Sequence, residues 1–137
     1  MKLIQIVTAY TALQALNDAT LDAQSAYNVY RLRNDLRESV NYFVTEETKL
    51  AGKYARQKDG ALEIKDGRIF FAGETDEERM ANAEAYNRER AMLCAVDADG
   101  VKFSKATIRV PAEFRLTPVF FEALEGFAVV TVDGAEL

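Results

Sequence analysis

Apolar residues between Asp22 and Arg56 recur in alternating steps of three and four, the spacing of a helix that packs along another helix. No proline interrupts this stretch, and the Asp22 carboxylate is placed to accept the free N–H groups of the first turn. The pattern predicts one long amphipathic helix, around which the other elements are arranged. Its buried seam is expected to consist of Ala26, Val29, Arg33, Leu36, Val40, Phe43, Glu47, Leu50 and Tyr54.

Two further helices are predicted before residue 96. Residues 3–18 carry apolar positions at helical spacing with a narrow polar stripe, which is typical of a well-buried helix. The run Thr75-Asp76-Glu77-Glu78 has the form of a capping box and predicts a helix from Asp76 to about Ala95. The inner side of that helix is expected to carry Met80, Ala83, Tyr86 or Asn87, and Leu93 or Cys94.

The predicted strands are short and flank tight turns. Asp66-Gly67 lies between two short apolar runs, which indicates a β-hairpin with a type I′ turn. In the last third, Val101 and Phe103 suggest one strand, 107–111 a second and 127–132 a third. A short helix is expected between the last two strands, starting at Thr117-Pro118 and ending near Gly126.

Helix, hairpin and helix in succession predict an antiparallel helical hairpin. Leu50 is expected near Met80, and Glu47 is expected to pair with Arg88. The shorter returning helix leaves the start of the long helix to be covered by the N-terminal helix and the C-terminal third. The predicted fold class is α+β, mainly α, as a single domain over 1–137, with a helical part over 1–95 and a small α/β extension over 96–137.

Composition narrows the possible functions. The 137 residues include 22 acidic and 17 basic side chains with a net charge of −5, which argues against nucleic-acid binding. Polar residues interrupt the apolar N-terminus, so neither a signal peptide nor a membrane span is expected. The single cysteine, Cys94, cannot form an internal disulfide and is expected to be a buried, inert thiol. These features predict a cytoplasmic protein.

Catalytic and metal-binding patterns are weak in this sequence. Without histidine, Ser–His–Asp and Cys–His arrangements are impossible. The pairs Glu46/Glu47 and Glu77/Glu78 are more typical of solvated helix faces and caps than of acid–base chemistry. Asp97-x-Asp99-Gly100 lacks the further ligands of a calcium loop and indicates a plain turn. We expect no enzyme activity, no metal and no cofactor.

Apolar and aromatic residues concentrate near the C-terminus, where they allow two interpretations. In one, they cover the open end of the long helix as part of the core. In the other, some of them form an exposed surface that binds a protein partner. The candidate partner-binding residues are Phe114, Val119, Phe120, Phe121 and Leu124.

Three segments resemble an uncharacterised family of small phage and prophage proteins: the opening LIQIVTAYTALQAL, the helix end KLAGKYARQKDG and the closing LTPVFFEALEGF. The helix–hairpin–helix half is also similar in outline to beta-type prefoldin, which lacks such a C-terminal α/β part. The resemblance implies no activity and no site residue. We expect a phage-encoded protein that binds a host or phage protein. The alternative is a structural or chaperone component that self-associates into a homo-oligomer. An enzyme that uses carboxylates alone is a third possibility.

Overall fold

The computed structural model describes residues 1–58, 60–65 and 68–133, and it has the predicted α+β, mainly α, composition. The helices are α1 (Leu3–Gln14), followed by a 3-10 turn (Ala15–Asp18), α2 (Ala23–Tyr54), α3 (Asp76–Cys94) and α4 (Pro118–Leu124). The strands are β1 (Gln57–Lys58), β2 (Ala61–Leu62), β3 (Ile64–Lys65), β4 (Arg68–Ile69), β5 (Ala106–Val110) and β6 (Ala128–Val132).

The chain forms two compact units. The first unit contains Met1–Asn41 and the chain from Asp97 onward, and the second contains Tyr42–Val96. Helix α2 therefore contributes its first part to one unit and its last part to the other. The predicted C-terminal extension packs with the N-terminal residues in one unit, and the single-domain organisation stays a prediction.

Helix α2 confirms the long helix that the sequence predicts. Asp22 caps it, because its Oδ1 accepts a hydrogen bond from the Ser25 backbone N–H at 2.8 Å. The seam residues Val29, Leu36 and Val40 are buried in the first unit. Leu32 lies outside the seam and is also fully buried, so the apolar face of α2 is broader than that of a two-helix coiled coil.

The core of the first unit covers the start of α2, as the sequence predicts. Buried residues come from α1, α2 and the C-terminal third, and large apolar side chains of the three regions form one cluster. Its principal members are Ile6, Leu13, Leu32, Leu36, Ile108, Val110, Phe120, Leu124 and Phe127.

The C-terminal third forms a β5–α4–β6 unit with parallel strands. Ala106 pairs with Ala128 at one end of the sheet and Val110 with Val132 at the other. The predicted strand at Val101 and Phe103 is wrong, because these residues are irregular. Phe103 instead stacks on Phe127 with the ring centroids 5.0 Å apart. Apolar contact explains the sequence pattern there without a strand.

The edge of β5 that faces away from β6 is covered by polar side chains of α2. Asn28 Nδ2 donates to the Thr107 carbonyl at 2.8 Å, and the Arg109 N–H donates to Ser25 Oγ at 2.8 Å. Thr107 and Arg109 present their backbone groups on the same edge, because alternate residues of a strand do so. Helix α2 thus satisfies a strand edge that would otherwise be open to another chain.

In the second unit, the last part of α2 leads into two short antiparallel pairs of strands. Strand β1 pairs with β2, and β3 pairs with β4. The predicted turn at Asp66-Gly67 lies outside the described residues, whereas the β1–β2 pair was not predicted.

Thr75 Oγ1 caps α3 by accepting from the Glu78 N–H at 3.1 Å, as expected. The Glu78 carboxylate accepts from the Glu74 N–H at 2.8 Å, one residue earlier than a capping box requires.

The contacts of α3 with α2 correct the predicted register. Glu47 pairs with Arg90 at 2.8 Å and not with Arg88. The Arg90 guanidinium also lies 5.8 Å from the centre of the Phe43 ring, which adds a second contact to this register. Met80 is 63% exposed, so its predicted place on the inner side of α3 is wrong. Tyr86 and Leu93 are the buried residues of that helix.

Candidate partner-binding surface

The five candidate residues divide between core and surface. Leu124 and Phe120 are 1% and 7% exposed and belong to the core of the first unit, and Phe114 is half-buried against it. Val119 is 66% exposed, and Phe121 is also exposed. The Phe120 and Phe121 rings meet edge to face at 5.7 Å. The structure therefore places part of the cluster in the core of the first unit and part at the surface, and partner binding by the exposed residues stays a prediction.

Val119 lies at the rim of an apolar groove between the first helical segment and α4. The groove has a volume of about 370 Å³. Its first wall consists of Val7, Thr8, Thr11, Ala12 and Ala15, and its second of Thr117, Val119, Phe120 and Ala123. We call these nine residues the α1–α4 groove. Of these nine residues, the sequence analysis named only Val119 and Phe120 as candidates.

The α1 wall carries no charge and no hydroxyl that needs a partner. The sequence has no charged residue between Lys2 and Asp18. Thr8 Oγ1 donates to the Ile4 carbonyl at 2.8 Å, and Thr11 Oγ1 donates to the Val7 carbonyl at 3.0 Å. Because each hydroxyl donates to a carbonyl of its own helix, neither threonine needs a hydrogen-bond acceptor from a molecule in the groove. This charge-free run was the sequence signal that would have revealed the wall.

Two local features mark the ends of α4. Thr117 Oγ1 accepts from the Phe120 N–H at 3.4 Å, and Gly126 adopts a φ of +86° after the last turn. The left-handed conformation at Gly126 suits glycine and lets the chain enter β6. Phe120 and Leu124 then point into the core, which leaves Val119 on the outer side of the helix.

The groove offers apolar contact and no acid–base group. None of its described lining residues is titratable. Elsewhere among the described residues, no three Cys, Asp or Glu side chains are grouped so that they would hold a metal ion. None of the described helices combines the length and apolar character that a membrane span requires.

Cys94 differs from its prediction. Its thiol is half-buried, and Sγ accepts a hydrogen bond from Arg90 Nη1 at 3.7 Å.

The turn at Asp97-x-Asp99 agrees with expectation, because Asp97 Oδ1 accepts the Asp99 N–H at 2.9 Å in a local turn.

Comparison with protein-family models, with curated proteins and with solved structures finds no match to this chain.

Proposed function

We propose that this chain is a phage- or prophage-encoded protein that binds another protein, such as a host factor, in the host cytoplasm. The observation that carries the proposal is the α1–α4 groove, an uncharged apolar surface with Val119 exposed at its rim. Exposed apolar surface of this kind is typical of interaction sites. The phage origin rests on the resemblance of the three sequence segments, and a non-enzymatic role is supported by the absence of histidine from the sequence.

The occupant we propose is the apolar face of an amphipathic helix of the partner. Ala12, Ala15 and Ala123 are small, so a third helix is able to approach the two that form the walls. A charged peptide would find no counter-charge in the described lining and would lose solvation on entry. The groove therefore favours an uncharged helical face.

Self-association through the same surface is the second candidate function. An uncharged face meets its own copy across a two-fold axis without like-charge repulsion. A structural or assembly component, including a prefoldin-like holdase, would use the groove in this way. The partner of the groove is then a second copy of this chain.

Capture from bacterial lysate with a tagged protein, followed by mass spectrometry, tests the proposal. Val119→Asp is expected to abolish stoichiometric capture, because it places a charge in the apolar contact. The variant is expected to fold, since position 119 is exposed and an aspartate in the first turn of α4 suits the helix dipole. Phe120→Asp is unsuitable, because Phe120 is a core residue.

Val44→Asp is the matched control, because Val44 is exposed on α2 and lies outside the groove. It is expected to leave capture unchanged. Equal loss in both variants, or equal retention in both, would overturn the groove as the binding site. Light scattering after size exclusion separates the two candidate functions: a defined multimer that Val119→Asp converts to a monomer would support self-association.

A further inference from the structure

A second cavity in the first unit lies between α2 and the connection that precedes it. It has a volume of about 490 Å³ and shares no described lining residue with the α1–α4 groove. Its wall includes two cationic side chains, Arg33 and Arg37, and is otherwise uncharged. The remaining lining residues are Leu16, Asn17, Ala19, Thr20, Leu21, Ala26, Val29 and Tyr30.

The two arginines concentrate positive charge that the described chain does not neutralise. They lie one helical turn apart on α2, where like charges repel. Neither forms an ion pair with any carboxylate among residues 1–58, 60–65 and 68–133. The positive charge of the pair would therefore attract an anion.

The hydrogen bonds of Arg33 leave one buried donor unused. Its Nη1 donates to Asn17 Oδ1 at 2.8 Å, and its guanidinium lies 5.6 Å from the centre of the Tyr10 ring. Its Nε is buried and has no acceptor. A buried Nε–H without an acceptor is costly, and a carboxylate or phosphate oxygen that reached it would form a charge-assisted hydrogen bond.

Arg37 provides the second cationic contact. Its guanidinium lies near the Tyr10 hydroxyl and, together with Arg33, lowers the pKa of that hydroxyl, although burial opposes the shift. A neutral oxygen is thus the described partner of Arg37, and an oxyanion would replace it favourably. Apolar side chains of Leu16, Leu21 and Val29 line the same cavity as the two arginines.

We propose that this pocket binds a small organic anion. A carboxylate or phosphate oxyanion would contact Arg33 and Arg37, and an apolar body would pack against Leu16, Leu21 and Val29. The proposal does not depend on the partner-binding function, because it uses other residues. The volume of the cavity suits a ligand the size of a substituted aromatic acid.

Four probes titrated into the 137-residue chain test the proposal: phenyl phosphate, benzoate, inorganic phosphate and benzyl alcohol. NMR of the arginine Nε–H groups reports on Arg33 directly. We expect the Arg33 Nε–H signal to move with phenyl phosphate or benzoate, and whichever binds more tightly identifies the oxyanion. Inorganic phosphate, which lacks the apolar body, and benzyl alcohol, which lacks the charge, are expected to bind more weakly.

Arg37→Gln is expected to weaken binding of the organic anion by about tenfold or more, because it removes a charge-assisted contact. Arg31→Gln is the matched control, since it removes the same charge from the same helix at a position outside the pocket. It should leave binding of the organic anion unchanged. Val119→Asp should also leave it unchanged, because Val119 lines the α1–α4 groove and not this pocket. An unmoved Arg33 signal with all four probes would overturn the proposal. So would equal weakening by Arg37→Gln and Arg31→Gln, or equal binding of benzyl alcohol and benzoate.

Discussion

Ser25 is the residue through which the start of α2 is joined to strand β5. Its hydroxyl donates to Asp22 Oδ2 at 2.9 Å and accepts the Arg109 N–H at 2.8 Å, and the side chain is buried. One small group thus completes the helix cap and satisfies a strand edge. A buried backbone donor that loses its acceptor is costly, so the contribution of Ser25 exceeds that of an ordinary surface serine.

Ser25→Ala is expected to lower the free energy of unfolding by about 1–3 kcal/mol, because the Arg109 N–H loses its acceptor. Urea denaturation followed by circular dichroism provides the measurement. Ser104→Ala, at an exposed serine of the same unit, is the control and is expected to change stability by less than about 0.5 kcal/mol. Equal effects of the two substitutions would contradict the role assigned to Ser25.

Asp22 makes the stability of the same junction dependent on pH. The Ser25 backbone N–H, and then the Ser25 hydroxyl, lower the pKa of the Asp22 carboxyl below its usual value of 3.8. Because the pKa of Asp22 is lower in the folded state, its carboxylate stabilises the fold at pH values above the pKa that Asp22 has in the unfolded chain. That stabilisation is lost as the pH falls through the folded pKa.

Asp22→Asn keeps a capping acceptor but removes this titration. We expect wild type to exceed the variant in stability at neutral pH, and the difference to shrink as the pH falls below about 4. Urea denaturation of both proteins across this range tests the expectation. A stability difference that does not change with pH would exclude the Asp22 carboxylate as its source.

At the scale of elements, the sequence predicted the helix caps and the element bounds that depend on interactions between neighbouring residues. The caps at Asp22, Thr75 and Thr117 were recognised because a capping residue and its N–H partner lie within one turn. The predicted bounds of helix α4 and strand β6 lie within one or two residues of those in the structure, because both elements have local signals in the sequence. Elements with a strong local signal were therefore predictable.

What the sequence analysis missed depends on contacts between distant residues. Arg90 contacts both Glu47 and the Phe43 ring of α2, and spacing along α3 alone does not reveal which arginine reaches them. The irregular course of Val101 follows from packing against the core, which an alternating pattern also fits. The α1 wall of the groove was missed because an apolar helix is usually buried all round.

The corrected face of α3 gives a second stability prediction. Leu93→Ala is expected to cost about 2–5 kcal/mol, because it leaves a cavity at a buried position. Met80→Ala, on the same helix, is expected to change stability by less than about 0.5 kcal/mol, because Met80 is exposed. Thermal and urea denaturation of both variants provide the test. A large effect at Met80 would restore its predicted place on the inner side of α3, and a small effect at Leu93 would contradict the burial of that residue.

At the scale of the whole molecule, charge and apolar surface are unevenly distributed. The chain carries a net charge of −5, yet its first helix has no charged residue between Lys2 and Asp18. A helix of this composition is normally covered on all sides, but the outer side of α1 opens into the groove with α4. The proposed function rests on this surface, because an apolar partner would bury the residues of the α1–α4 groove that the fold leaves exposed.

Hydrogen–deuterium exchange of the complex, measured against the free protein, tests the binding site most directly. The account predicts slower exchange in α1 and α4 when the partner is bound, whether that partner is another protein or a second copy. The last turn of α2, in the other unit, is the internal control and is expected to exchange as before. Protection confined to α2 and α3, with α1 and α4 unchanged, would contradict the α1–α4 groove as the surface through which this protein acts.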